Sequence, residues 1–472
     1  MDSKSNKLLE GPIAKSLLTL AIPIVLANVL QAGYQLTDAF WVGRLGGTAV
    51  AAVSVSMPVM FLMIALGVGF AVAGSTLIAQ YFGAKNKEMV NHVAAQTLLM
   101  IVIVSVSLGA IGYVFSPSIL HFMGVEADVY EGALGFMRVS FIGLVFNFFF
   151  FMFQSIMRGI GEAKLPVYIV FGTVILNFIL DPFFIFGWGG VPASGVMGAA
   201  IATLSTQTIA ALIGFVVLLR GKYGIHLSLN NFKPDFSFIK RAFFLGFPAS
   251  IEQSSRALGL TVLTFLIASF GTLTMASYGV GSNVLQVAMI PAMGLSMAIS
   301  TLVGQNIGAG NIERAAKIGR FGSWLGFLIL TCFGIVVFVF APHLVAFFVP
   351  EDDQVIASGA VFLRIISLSW GFMGVQFSLT GALRASGNMM VTMILSIVGQ
   401  WVLQFPLAYI LSKHTTLGVN GLWLSFPISN VITALITIAW YMKGDWKKTK
   451  LTDEGKLTEQ VSEEIIVEEG IR

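Results

Sequence analysis

Long apolar runs recur along the chain, each broken by a short cluster of polar, glycine or proline positions. They fall near 16–40, 50–80, 93–115, 132–158, 164–188, 195–220, 241–270, 276–305, 318–342, 358–384, 389–412 and 418–442. Runs of this length match the roughly 20 apolar residues an α-helix needs to cross the hydrocarbon layer. Inside a bilayer the backbone must satisfy its own polar groups, and a helix does so within one segment. The pattern predicts an all-α polytopic membrane protein with twelve transmembrane helices.

The runs repeat as a set. Residues 75–86 (STLIAQYFGAKN) match 300–311 (STLVGQNIGAGN), Pro23 matches Pro248 and Gly46 matches Gly271, all at one offset. Arg158 and Gly161 match Arg384 and Gly387 one residue further on. Six spans per copy give both copies the same orientation, so the expected architecture is two six-helix bundles related by a pseudo-two-fold along the membrane normal, with a cavity where they meet. The divisions are a 1–15 cytoplasmic segment, an N-lobe over 16–220, a cytoplasmic linker over 221–240, a C-lobe over 241–442 and a cytoplasmic tail over 443–472. Such two-copy chains are typical of alternating-access transporters.

Composition agrees: charged residues are 11% and hydrophobic residues 56% of the 472, against about 25% charged in soluble domains. The net charge of +4 comes from basic residues scattered between apolar runs, which reads as topology and excludes nucleic acid as a partner. Lysines and arginines gather after the even-numbered spans (Lys85, Lys87, Lys164, Lys222, Lys233, Lys240, Arg241, Arg314, Lys317, Arg320, Arg384 and Lys443 onward). The opposite loops carry Arg44 and Lys413 but also Glu126, Asp128, Glu131, Glu351, Asp352 and Asp353. The positive-inside rule then places both termini in the cytoplasm. The first apolar run is too long for the core of a cleaved signal peptide, so the first span stays in the protein. The tail turns from basic to acidic (Glu463, Glu464, Glu468, Glu469) and reads as a solvated extension. Cys332 is the single cysteine and no two of the five histidines pair as ligands, so no metal site and no cofactor are expected.

Ionisable side chains within spans are expensive and mark function by default. Three acids qualify. Asp38 ends a polar stripe of Asn28, Gln31 and Gln35 at helical spacing, with Tyr34 beside it. It lies roughly 35 Å along its helix from Lys15, near the outer interface. Asp181 shares a face with Asn177 four residues earlier, roughly 22 Å into span 5. Both aspartates thus fall in the outer part of the first copy. Two carboxylates and an Asn carbonyl there either coordinate a hard monovalent cation or hold a proton; the bland readings are an interfacial acid and a buried acid satisfied by hydroxyls. Glu252 faces Arg256 at i+4, an orientation that favours a helical ion pair, and either closes on itself or lines the cavity of the second half. Pro23, Pro58, Pro182 and Pro248 lie inside spans and are the candidate hinges or kinks. The repeated Q-x-x-G-A and R-x-x-G elements fall at helix ends, where glycine is expected as a C-cap.

The segment PIVLANVLQAGYQLTDAFWVGRLG from Pro23 to Gly46, the STLIAQYFGA element with its second copy, MRGIGEAK from Met157 and LNFILDP from Leu176 resemble the multidrug and toxic compound extrusion (MATE) family, over about 10 to 445 of the chain. Within it the chain is similar to the DinF-like branch. The resemblance implies export of organic, often cationic, compounds in exchange for inward Na+ or H+ through a V-shaped pair of lobes. It also implies an N-lobe cation or proton site at Asp38, Asn177 and Asp181, and a substrate cavity to which Asn28, Gln31, Tyr34, Gln35, Asp38, Asp181 and Glu252 contribute. The NorM-like branch adds acids in spans 7 and 10; Glu252 falls on the first, and 358–384 contain no acid.

The expected protein is therefore a monomeric secondary antiporter of the plasma (inner) membrane, working on small molecules and carrying no enzyme activity. No Walker-type glycine loop is present. A lipid-linked precursor flippase of the same wider superfamily is the alternative; it calls for more spans and an arginine-rich cavity.

Overall fold

A computed structural model describes residues 8–452. The acidic end of the tail, including Glu463, Glu464, Glu468 and Glu469, lies outside the described residues. The described residues fold into thirteen long helices, with no strand among them. The first six are α1 (Ile13–Gly43), α2 (Gly47–Gly83), α3 (Lys87–Phe122), α4 (Ala127–Gly159), α5 (Lys164–Phe186) and α6 (Gly195–Arg220). The rest are α7 (Phe236–Ala268), α8 (Thr272–Gly308), α9 (Ile312–Phe348), α10 (Asp353–Ser367), α11 (Trp370–Ala385), α12 (Met389–Lys413) and α13 (Val419–Lys443). Within α12 the stretch Val398–Gln404 is a π-helix.

Ten of these helices are long and apolar enough to cross a bilayer, and α10 with α11, bent by 49°, forms an eleventh span. The bend falls at Ser367-Leu368-Ser369, where the Ser367 and Ser369 hydroxyls donate to carbonyls of the preceding turn at 3.0 and 3.1 Å and compete with the helical ladder. The twelfth, α7, is about 50 Å long but carries Glu252, Gln253 and Arg256 in its middle, which dilutes its hydropathy. Large side chains that a soluble protein hides, among them Ile22, Leu36, Val114 and Phe265, are exposed. Twelve spans and an apolar exterior make this an all-helical, multi-pass membrane protein. The helices outrun the apolar runs of the sequence by several residues because a helix continues into the interface, where hydropathy no longer marks it.

The chain divides into two compact units: residues 26–250, and a second made of 251–451 together with the segment ending at Val25. In the first, α4 packs against α2, α3 and α6, and α5 against α6. In the second, α11 takes the place of α4, packing against α8, α9 and α13, and α12 packs against α13. The sequence repeat is therefore a repeat of packing. The second unit's core packs Phe362 against Trp423 (4.3 Å between ring centroids) beside buried Trp370. A close crossing joins Gly326 of α9 to Gly374 of α11: a Cβ on Gly326 would lie 2.8 Å from the Gly374 carbonyl oxygen, and one on Gly374 would overlap the Gly326 carbonyl. Small residues let membrane helices approach this closely. Gly374→Val is expected to lower stability by about 1–3 kcal/mol through overpacking, read as a lower midpoint in thermal unfolding of the purified protein.

The linker between the halves is tied to the first unit. Gln96 of α3 donates to the carbonyls of Asn231 (2.8 Å) and Lys233 (2.9 Å) and accepts from the Asp235 amide (2.9 Å). Asp235 caps α7 by accepting from the Phe238 amide at 3.0 Å; that bond and the Ser237 hydroxyl hold its carboxyl below the usual carboxylate range. After α13, Trp446 folds back and stacks on Tyr441 at 4.9 Å.

Two sequence expectations need correction. Gly83 and Gly308 of the Q-x-x-G-A elements are the last helical residues, and the left-handed positions come two residues later, at Lys85 (φ 59°) and Gly310 (φ 79°). Each makes the paired closing bonds of a Schellman end: Lys85 N–H to Phe82 O with Asn86 N–H to Tyr81 O, and Gly310 N–H to Ile307 O with Asn311 N–H to Asn306 O. Gly161 and Gly387 close α4 and α11 in the same way. Arg384, counted above among loop charges, is a buried residue in the last turn of α11.

Candidate cation site

Three helices of the first unit bring polar side chains together in an otherwise apolar interior. The i, i+4 spacing of Asn177 and Asp181 puts both on one face of α5, and both are fully buried. The Asn177 Nδ2 donates to Asp181 Oδ1 at 3.3 Å. From α1, Asp38 meets α6, where Thr203 Oγ1 donates to its Oδ2 at 3.2 Å. Its carboxyl also faces Asn177 and Asp181. One turn earlier, buried Tyr34 shares a hydrogen bond with Thr206 of α6.

What these bonds leave over is informative. Asp38 Oδ1, Asn177 Oδ1 and Asp181 Oδ2 are buried and have no hydrogen-bond donor. Buried acceptors without partners carry their full desolvation penalty, and two facing carboxylates repel strongly where the dielectric is low. A shared proton or a hard monovalent cation, which prefers oxygen ligands, relieves both penalties. Among the described residues no group of three or more His, Cys, Asp or Glu side chains converges as for a multivalent metal.

Asn28 and Gln31 are half-buried and Gln35 is exposed, so the face of α1 that enters the site is the one bearing Tyr34 and Asp38. Pro23, Pro58, Pro182 and Pro248 each lie within a helix. Asp181 has no exposed surface.

Glu252 belongs to the other unit and is also fully buried. Arg256 donates to its Oε1 at 3.3 Å, and Arg384 grips both carboxylate oxygens, with Nε to Oε2 at 3.3 Å and Nη2 to Oε1. Of the two readings of Glu252, this geometry matches the closed ion pair: its oxygens are taken by two guanidiniums.

Sequence reasoning missed Thr203 and Thr206, although Thr203-Leu-Ser-Thr-Gln-Thr208 is a dense polar run inside an apolar span and marks the site on its own. It missed Arg384 as a partner because a residue at a span end reads as a topology signal until its neighbours are known.

The sequence model of the MatE family matches residues 23–183 and 248–410, one block in each repeat, starting at Pro23 and Pro248. The probable multidrug resistance protein YoeA of Bacillus subtilis is 30% identical over 442 residues, covering 93% of this chain and 95% of its own. The probable multidrug resistance protein NorM of Thermotoga maritima is 28% identical over 448 residues, covering 95% and 96%. A crystal structure of MATE in complex with MaL6 superposes with a TM-score of 0.88 at 26% identity, over 95% of this chain and 100% of the solved one.

Proposed function

The chain belongs to the MatE family, and from that premise we propose that it is a secondary active multidrug exporter. It exchanges inward H+ or Na+ for organic, often cationic, compounds by alternating access, in the plasma (inner) membrane with both termini in the cytoplasm. The observation that carries this reading is the set of three donor-less oxygens on Asp38, Asn177 and Asp181. The names of the Bacillus and Thermotoga relatives support the substrate class.

In the proposed cycle, the site alternates between a charged, ion-free state that favours substrate and an ion-filled state that does not. Filling it removes the repulsion between Asp38 and Asp181 and repacks α1, with Pro23 as its hinge, so that substrate leaves outward. One monovalent ion entering down about 150 mV supplies about 3.5 kcal/mol. For an uncharged substrate that sustains a ratio of roughly 300-fold. Glu252 has no part in the cycle, since two arginines hold its charge.

Proteoliposomes with Na+ and pH gradients imposed separately test the scheme. In the Na+ arm, Asn177→Leu removes one of the three oxygens and is expected to raise the Na+ concentration for half-maximal export about tenfold. Wild-type export that follows the pH gradient alone would identify the proton as the coupling ion, and a wild-type Na+ dependence unchanged in Asn177→Leu would remove Asn177 from the site.

A further inference from the structure

We propose that the second unit contains a binding site for the carboxylate of a benzoate-sized acid, anchored by Arg256. A cavity of about 140 Å³ lies within this unit, near the roughly 150 Å³ at which an engineered apolar cavity admits one benzene ring. Its wall combines Trp370 and Phe377 with Arg256 and the amides of Gln376, Gln400 and Gln404. Both classes of surface suit one ligand: a flat apolar body ending in an acidic group.

The charge arrangement selects the sign. Arg256 makes one hydrogen bond, to Glu252 Oε1 at 3.3 Å, and Arg384 already holds both oxygens of that carboxylate. Among the described residues the charged groups facing Arg256 are Glu252 and Arg384, so no second acid there answers it. A guanidinium carries five N–H donors in a planar fork that fits a carboxylate at two points. Most of that fork is left for a ligand, and the side chain remains 23% exposed where it borders the cavity. The Phe377 ring, 5.0 Å from the guanidinium carbon, steadies the fork. Glu252, fully buried, offers nothing to a cation entering the same space.

The local backbone points the same way. The π-helical turn Val398–Gln404 interrupts α12 at the residues that bring Gln400 and Gln404 into the wall. Such turns are rare and recur at functional sites. Trp401 fixes this turn by donating from Nε1 to Ser255 Oγ at 2.7 Å, one residue before Arg256. The binding claim stands on this cavity; that the bound acid is also exported rests on the exporter reading.

The test is fluorine NMR on the purified full chain with 4-fluorobenzoate and 4-fluorobenzamide as matched probes. Saturable binding of the benzoate is expected, with the amide at least about tenfold weaker because it lacks the charge. Arg256→Gln should weaken benzoate binding about tenfold on the same grounds. Gln404→Phe fills the cavity without touching the ion cluster and should abolish it. Should Arg256→Gln fail to fold, Gln404→Phe decides alone. Equal binding of both probes, or unchanged benzoate binding in a folded variant, overturns the proposal. Gradient-driven dye efflux, run in parallel, separates the two readings. Selective binding without efflux keeps the site and removes the exporter; efflux without selective binding does the reverse.

Discussion

Asp38→Asn is expected to collapse the steady-state substrate ratio across proteoliposomes from roughly 300 to about 1, because the free energy of the ion no longer reaches the substrate. The amide keeps the shape of the carboxyl and can still accept from Thr203, whose hydroxyl lies 3.2 Å from Asp38 Oδ2. It can neither carry a proton nor offer a second anionic oxygen, and the repulsion that distinguishes the ion-free from the ion-filled state disappears with it. The variant is then held in the arrangement of the ion-filled site, so a dye-binding titration should weaken and gradient-driven flux should drop to that of empty vesicles. The thermal midpoint should hold or rise, since one of two facing like charges is gone. Full gradient-driven export by a folded Asp38→Asn protein would end the coupling scheme. Asp181→Asn should give the same result through the other carboxylate.

The largest stability effect is expected at Glu252, where Glu252→Gln removes the one carboxylate shared by Arg256 and Arg384. Breaking a buried ion pair by deleting one partner leaves charge without compensation and costs about 3–5 kcal/mol. The cluster sits on α7, α11 and, through Thr392 beside Glu252, α12, so the loss should loosen the second unit as a whole. Thermal unfolding of purified variants measures this. Arg384→Gln added to Glu252→Gln should recover part of the loss, since of the two guanidiniums only Arg256, which is partly exposed, then lacks its acid. A Glu252→Gln protein as stable as wild type would show that the cluster contributes nothing net.

Most of the fold was legible from hydropathy because a bilayer writes its thickness into each span. The repeat was legible because helix ends need particular residues: Gly46 and Gly271 sit at φ 103° and 98°, ahead of α2 and α8, a conformation other residues rarely adopt. Asp38, Asn177 and Asp181 stood out because acids and amides are costly in spans. Their partners on α6 did not, since threonine is cheap in a membrane helix and gains meaning only from what it touches. The Glu252–Arg384 bond joins residues 132 positions apart, a separation no local pattern encodes. Lys85 occupies a left-handed position that its repeat partner, Gly310, fills with glycine, so the cap was misplaced by two residues. The repeat also diverges chemically: the counterpart of Asp38 is Leu263, packed in the apolar core of its unit.

The division of α1 and α7 between units bears on how the protein is made. The first unit ends at Ser250 and the second begins at Ile251, while the stretch up to Val25 belongs to the second; the two breaks fall at equivalent positions of the repeat. Contacts bear this out at both ends: Val25 lies against Gly294, and Ser250 Oγ donates to Leu66 O at 2.8 Å. During synthesis the first bundle stays unfinished until the opening turns of α7 emerge, well after its sixth helix. The earliest residues of α1, made first, wait longest for their partners in α8 and α9. A chain stopped in the linker would hold an incomplete first bundle and an orphaned leading segment, so this repeat cannot mature as two independent halves. Partners so distant in sequence pay their loop-closure entropy late and slow assembly, which makes the interval between the two halves the period of greatest exposure to misfolding.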